Sequence, residues 1–153
     1  VLVGGAAAAE DILSESTSAG TAWTFSKMAR INGGSGYITK VHAICETTAL
    51  TARLVVFIFT ATPTSELDDN AANTALLHAD LANYVGKVDL PAMEDIGTGD
   101  SEAVATPSTT GNLPMSFTCA SDANDLYAVV ATRDAITPTA LDELVIRITA
   151  DQY

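Results

Sequence analysis

Hydrophobic and polar residues alternate along most of the chain from about residue 21, in short runs broken by Gly, Pro, Asn and Asp. The clearest alternation lies in the segment GYITKVHAIC, and a period of two residues is typical of a half-buried β-strand. One face of this predicted strand carries Tyr37, Thr39, Val41, Ala43 and Cys45, and the other carries Ile38, Lys40, His42 and Ile44.

A second segment, ARLVVFIFT, is apolar without interruption and rich in β-branched and aromatic residues. Such a run predicts a central strand that is covered on both faces. We expect one face of Leu54–Phe59 to line the core and the other to contact a neighbouring subunit. The late segment ELVIRITA alternates again, with Leu144, Ile146 and Ile148 on one face and Arg147 and Thr149 on the other.

Short apolar runs begin at TAWTFSKMARI, and further strands are predicted in KVDL, EAVAT, LPMSFTCA and DLYAVVAT, so that the total is about eight. Their short length and regular spacing favour an all-β antiparallel sandwich, jelly-roll-like in arrangement, over residues 21–153. Residues 1–20 are rich in Ala, Gly, Ser and Thr and show no period. We expect them to form an extended arm that becomes ordered only against another surface.

One short helix is predicted between two of the strands, inside LDDNAANTALLHADLANYVG. Leu77, Leu81 and Val85 are spaced four residues apart, and Tyr84 joins their face. Gly86 stands where a left-handed residue would end the helix. The spacing predicts that Leu81 and Val85 plug one end of the sandwich.

Composition narrows the classes of partner. The 153 residues suit one domain, and 48% are hydrophobic while only 17% are charged. Seven basic residues against 19 acidic ones give a net charge of −12. An acidic surface repels nucleic acid and anionic lipid, and no apolar run approaches the roughly 18 residues that cross a bilayer. We therefore expect neither a nucleic-acid nor a membrane partner.

Two groups of acidic residues are candidate calcium ligands, because Ca²⁺ prefers oxygen donors. The first comprises Glu66, Asp68, Asp69 and Asn70, and the second comprises Glu94, Asp95 and Asp100. Neither has the spacing of an EF-hand, and Asp or Asn at such places more often forms a turn or caps a helix. Turn formation by Asp69 and Asn70 is the favoured interpretation of the first group, and a solvated loop that of the second.

His42 and His78 are not framed by a hydrolase or metalloprotease motif. A small hydrolase would need at least two of His42, His78, Glu66, Asp68 and Asp69 to converge in a cleft. One Trp, Trp23, with four Tyr and four Phe is sparse for a sugar-binding platform. The sequence thus predicts a protein that is not an enzyme, with no catalytic, cofactor or metal-binding residues.

Cys45 and Cys119 lie far apart, and neither has a CxxC partner. The favoured interpretation is two buried thiols that pack as small hydrophobes. A disulfide between strands is the alternative, and it requires that their Cβ atoms face each other.

Two segments together carry a resemblance to a known family. FIFTATPTSELDDNAANTALLHADLANYVGKVDLP joins a strand to a DNAA turn and an ADLA helical turn, and LYAVVATRDAITPTALDELVIRIT joins two strands through TRDAITPTA. The chain resembles small β-sandwich virion proteins of tailed bacteriophages over most of residues 20–150. It departs from their pattern at Asn73-Thr74, where an aromatic often follows the turn, and at Ile136, where Tyr is common.

The resemblance implies a structural component of the phage particle, with a capsid decoration or cement protein on the outer capsid surface as the leading expectation. Its expected partners are the major capsid protein and other copies of itself, with a homotrimer as the first expectation. The arm would then add a strand to the sheet edge of a neighbour. A carbohydrate-binding or tail- and fibre-associated adhesion module is the alternative.

Overall fold

The computed structural model describes residues 2–46, 50–97, 99–108 and 112–153. These residues form nine strands and one short 3₁₀ helix, His78–Asn83. The strands are β1 (Trp23–Phe25), β2 (Ser35–Cys45), β3 (Arg53–Phe59), β4 (Tyr84–Ala92), β5 (Glu94–Asp95), β6 (Ser101–Ala105), β7 (Met115–Thr118), β8 (Leu126–Thr132) and β9 (Leu144–Gln152). Within the described ranges, no helix is long and apolar enough to cross a membrane.

Two antiparallel sheets pack against each other, which confirms the predicted all-β sandwich. The first sheet has the order β1-β8-β3-β4. In the second, β2 is central: β9 pairs with one side of it, while β6 and β7 pair with successive halves of its other side. β5 lies outside β6. The sequence pattern predicted β2, β3, β4, β6, β7, β8 and β9, while β1 lies where the short apolar runs begin. It missed β5, whose Glu94-Asp95 pair we expected to be a solvated loop.

The main core lies between the two sheets. From β3 it includes Leu54, Val56 and Ile58, all fully buried, and from β2 it includes Val41 and Ala43. These residues follow the alternation that the sequence predicted, because the inward positions of a strand repeat every second residue.

A β-bulge in β2 changes the predicted assignment of faces. The register against β9 shifts between Ile38 and Lys40. One extra residue reverses the alternation locally. Ile38 and Val41 are therefore both fully buried, whereas Tyr37, predicted to share the face of Val41, is 45% exposed.

The second face of β3 is buried by the chain itself, so the predicted contact of this face with a neighbouring subunit is wrong. Val55, Phe57 and Phe59 form a second apolar cluster with Ile12 of the arm. The cluster is completed by Val129 and Ala131 of β8, and by Leu67, Ala75 and Tyr84, which pack against it. A strand with two apolar faces needs two covers, and the arm with the 60–77 connection supplies the second one.

The described part of the N-terminal arm, residues 2–20, is ordered against its own sandwich. Leu2, Ile12 and Leu13 are each at most 2% exposed. The Ile12 N–H donates to the Ala71 carbonyl and the Leu13 N–H to the Val130 carbonyl, each at 2.9 Å. The prediction that the arm adds a strand to the sheet of a neighbour is therefore wrong for these residues, because their apolar side chains belong to the core of their own chain.

The short helix lies where it was predicted, but the predicted plug is wrong. Leu77 is 38% exposed and Leu81 is 48% exposed, while Val85 lies in β4 and packs against the main core. A 3₁₀ helix has three residues per turn, so side chains four apart no longer share one face. Gly86 does not end the helix: it lies within β4, where an added Cβ would be 2.8 Å from Met115 Sδ.

Truncation of Ile12 tests whether the arm belongs to the core. Ile12→Ala should lower the free energy of unfolding by about 2–4 kcal/mol, because it opens a cavity beside Val55 and Phe57. Ile31→Ala is the control, since Ile31 is 69% exposed and should cost less than about 0.5 kcal/mol. Urea unfolding measures both. An equal, small effect for the two variants would mean that the arm is not docked in solution.

Candidate functional site

The first acidic group lies where the arm crosses the 60–77 connection, and its oxygens accept backbone hydrogen bonds. Glu66 Oε1 accepts from the N–H groups of Leu67 and Asp68, at 2.9 and 3.0 Å. Asp68 Oδ1 accepts from the Gly20 N–H at 2.8 Å. Asn70 has a φ of 59°, the left-handed conformation of a turn residue, which confirms its predicted role as a turn former.

Asp69 does more than form a turn. It is 5% exposed, and its Oδ1 accepts the Ser14 N–H at 2.8 Å. Burial raises the pKa of Asp69, and the negative charges of Asp11 and Glu15 raise it further, while the Ser14 N–H lowers it. The carboxylate therefore attaches the arm to the connection but is less stable as an anion here than in water.

Asp80, in the 3₁₀ helix, is 2% exposed and is the most fully hydrogen-bonded of the buried carboxylates. Its Oδ1 accepts from the N–H and Oγ1 of Thr64, both at 2.8 Å. Its Oδ2 accepts from the N–H of Ser65 at 3.1 Å and from its Oγ at 2.6 Å. Burial alone would raise the pKa of Asp80, but these donors hold it below its ordinary value of 3.8.

Other carboxylates pair with arginines. Asp134 accepts from the Arg53 guanidinium at 2.7 and 3.0 Å and from the Arg53 N–H, and these hydrogen bonds lower the pKa of Asp134 to about 2. Arg133 donates to Glu10 of the arm at 2.7 Å and to Asp89 of β4 at 3.1 Å. These charges thus connect the arm to an edge of the first sheet.

No metal centre is formed by the described residues, in which no group of three or more His, Cys, Asp or Glu side chains could hold an ion. In the second acidic group, Glu94 and Asp95 pair with β6, and Asp95 Oδ1 accepts the Gly97 N–H at 2.8 Å.

The two histidines lie on different parts of the fold. His42 of β2 contacts Glu102 of β6, with Nε2 and Oε2 2.8 Å apart. His78 is exposed at the start of the 3₁₀ helix. Four surface cavities of about 240–390 Å³ are lined by other residues than the five proposed for a hydrolase.

Both cysteines are free and buried, which confirms the interpretation as packed thiols. Burial raises the pKa of Cys45 to about 11, with a further contribution from the negative charge of Asp142. Burial also raises the pKa of Cys119. Thiols in such surroundings are poor nucleophiles, because the thiolate is the reactive form.

Trp23 lines a cavity of about 350 Å³ at the open side of the sandwich, where β1 and β9 are the sheet edges. Its Nε1 donates to the Leu13 carbonyl at 3.0 Å, which fixes the ring against the arm. Leu2, Leu144 and Glu15 also line this cavity. The indole is half-buried, and its polar edge is satisfied within the chain.

Three leucines that are close in sequence are exposed, which the sequence pattern missed. Leu76, Leu77 and Leu81 are between 37% and 48% exposed, and they lie within residues 76–81, at and just before the 3₁₀ helix. The helical spacing assigned two of them to the core, but Asp80 is the residue that faces inward. We call these three residues the leucine patch.

The chain matches no known protein family, no curated protein and no solved structure.

Replacement of Asp80 tests its hydrogen bonds and their pH dependence. Asp80→Asn should cost about 1–3 kcal/mol at pH 7, because the amide nitrogen replaces one carboxylate oxygen and cannot accept the two hydrogen bonds that Thr64 or Ser65 donates to that oxygen. The folded-state pKa of Asp80 lies below 3.8, so its contribution is present above that pH and is lost as the pH falls through the folded-state value. The difference between wild type and variant should therefore shrink in acid.

Asp69→Asn is the matched control. The folded-state pKa of Asp69 is raised, so its charge opposes folding at pH 7, and removing the charge should leave stability unchanged or higher. Urea unfolding measures the stability of both variants. The measurements cover pH 2 to pH 7, because carboxylates titrate in this range. A loss of stability in Asp69→Asn as large as that in Asp80→Asn would contradict this account of the two carboxylates.

Proposed function

We propose that the protein is a structural component of a tailed-phage particle, a decoration or cement protein that binds the major capsid protein on the outer capsid surface. The proposal starts from the resemblance carried by the segments around DNAA and TRDAITPTA. It assigns the protein a binding role in which stability and surface shape matter and no reaction is performed.

The leucine patch is the observation that carries the proposal furthest. Its three large apolar side chains are exposed within a segment of six residues, 76–81, and clustered exposed apolar residues mark protein interfaces more often than scattered ones do. The patch is also held rigidly, since Asp80, next to Leu81, binds Thr64 and Ser65 through four hydrogen bonds. A preorganised patch loses little conformational entropy when it binds, which favours a long-lived contact with a shell.

The use of the polar residues supports the same role. Four carboxylates accept backbone or hydroxyl hydrogen bonds that fix the arm and the 60–77 connection: those of Glu66, Asp68, Asp69 and Asp80. The remaining acidic surface, with a net charge of −12 for the chain, would repel packaged nucleic acid and keep particles dispersed.

Substitution of Leu81 separates binding from folding. Because Leu81 is 48% exposed, Leu81→Asp should change the free energy of unfolding by less than about 0.5 kcal/mol. It should also lower the amount of protein retained on purified particles at least tenfold, because a buried charge at the interface costs more than 1.4 kcal/mol.

Ile31→Asp is the matched control, an equally drastic change at a residue 69% exposed that lies outside the patch. Particle occupancy is measured as the ratio of this chain to the major capsid protein after sedimentation. Unchanged occupancy of Leu81→Asp would exclude the patch as the contact, and absence of the wild-type chain from particles would refute the proposed function.

A carbohydrate-binding or tail-associated adhesion module is the second candidate, and one observation favours it. Tyr37 and Tyr153 are 45% and 70% exposed and contact each other edge to face, with ring centroids 6.0 Å apart. Exposed aromatic rings bind sugar faces through apolar contact. Binding on a glycan array that is lost in Tyr37→Ala would support this candidate, and an array without hits would exclude it for the glycans tested.

A further inference from the structure

The outer edge of β9 is a sheet edge on which no described strand pairs. β9 bonds to β2 along Leu144–Gln152, and its other side has no partner among the described residues. The Glu46 N–H donates to the Glu143 carbonyl at 3.0 Å, so Glu46 and Glu143 stand at a hydrogen-bonded position of the ladder. Because bonding alternates along an antiparallel pair, the backbone groups of Val145 and Arg147 point toward β2, while those of Leu144 and Ile146 point outward.

The side chains next to this edge form a self-complementary row. Glu143, Val145 and Arg147 lie on the outer face of the second sheet, alternating with the buried Leu144 and Ile146. Glu143 and Arg147 are exposed, and neither forms an ion pair within the described part of the chain. The two charges are opposite in sign and stand symmetrically about Val145.

We propose that two copies of the chain pair through β9, antiparallel, with Val145 of one copy opposite Val145 of the other on a twofold axis. In this register Leu144 exchanges backbone hydrogen bonds with Ile146 of the second copy, and the outward-pointing groups of both residues are used. Arg147 then stands directly opposite Glu143 of the second copy, and the same contact occurs again across the axis. Opposite charges at such positions stabilise the pair, whereas like charges destabilise it.

A shallow acidic pocket beside the axis supports this register. It has a volume of about 240 Å³ and is lined by Ile44, Glu46, Asp100, Glu143 and Val145. Its three carboxylates form no ion pair within the described residues. Arg147 of the second copy lies at the mouth of this pocket in the proposed arrangement, and alternative registers that oppose Arg147 to itself are disfavoured by repulsion.

The inferred pair differs from the trimer that the resemblance implies, and it does not depend on the proposed function. It closes the long exposed edge of β9, which is otherwise a site for uncontrolled association. It also joins the two second sheets into one continuous sheet across the axis.

Charge reversal tests the register directly. Wild type should have twice the 15.8 kDa chain mass by light scattering after size exclusion. Arg147→Glu and Glu143→Arg should each be monomeric. Either substitution places two side chains of like charge opposite each other, once on each side of the axis. An equimolar mixture of the two variants should regain the dimer mass, because each chain then meets its complement on both sides of the axis. Lys40→Glu is the control, a charge reversal on the same face at a central strand, and should remain dimeric.

A cysteine at the axis gives an independent readout. Val145→Cys should form an intermolecular disulfide under oxidising conditions, since the Cα atoms of a non-hydrogen-bonded antiparallel pair lie about 4.5 Å apart. The native thiols are buried and should not compete. Dimers in the wild type with recovery only in the mixture would establish the pairing. A wild-type monomer at the highest soluble concentration, or a trimer unaffected by the reversals, would overturn it.

Discussion

The fold depends on one constraint: the central strand β3 is apolar on both faces, and both faces must be kept from water. Leu54, Val56 and Ile58 are covered by the opposite sheet. Val55 and Phe59 on the other face are fully buried, although no third sheet is present in the described chain. The arm and the connection between β3 and β4 provide this second cover, so segments without regular secondary structure are part of the core.

This solution explains where the acidic residues are used. An irregular cover leaves backbone N–H groups without ladder partners, and buried donors need acceptors. Asp69 accepts from Ser14 on the arm, and Asp80 accepts from Thr64 and Ser65 on the connection. The carboxylates near DNAA, which the sequence offered as candidate calcium ligands but favoured as turn formers, therefore serve the packing of irregular segments. The leucine patch and the outer side of β9 take no part in this packing, and these are the two surfaces that we propose for binding.

The sequence predicts most of the strands of this chain well. It predicts poorly how the irregular segments, the arm and the 60–77 connection, pack over them. Alternation with a period of two identifies β2 and β9, and uninterrupted apolar runs identify β3 and β8. The pattern did not predict β5, because two acidic residues, Glu94 and Asp95, are too short a run to show a period. The bulge near Thr39 also escapes, since one inserted residue leaves no compositional trace.

The arm shows the limit most clearly. Its Ala, Gly, Ser and Thr content predicts an extended segment, but not which surface binds it, because that depends on contacts distant in sequence such as Ile12 with Val55 and Phe57. The leucine patch was misassigned for a related reason: the spacing of Leu77 and Leu81 fits an α-helix, whereas the segment is a 3₁₀ helix anchored by Asp80. Long-range packing, rather than local propensity, decided both cases.

Native-state hydrogen exchange of the backbone amides tests the central claim most directly. The Ile12 and Leu13 N–H groups donate to carbonyls of the connection and of β8, so they should be protected to the same extent as the amides of β3. Exchange of these two amides at the rate of an unfolded peptide, while β3 stays protected, would show that the arm does not cover the strand and would contradict the account.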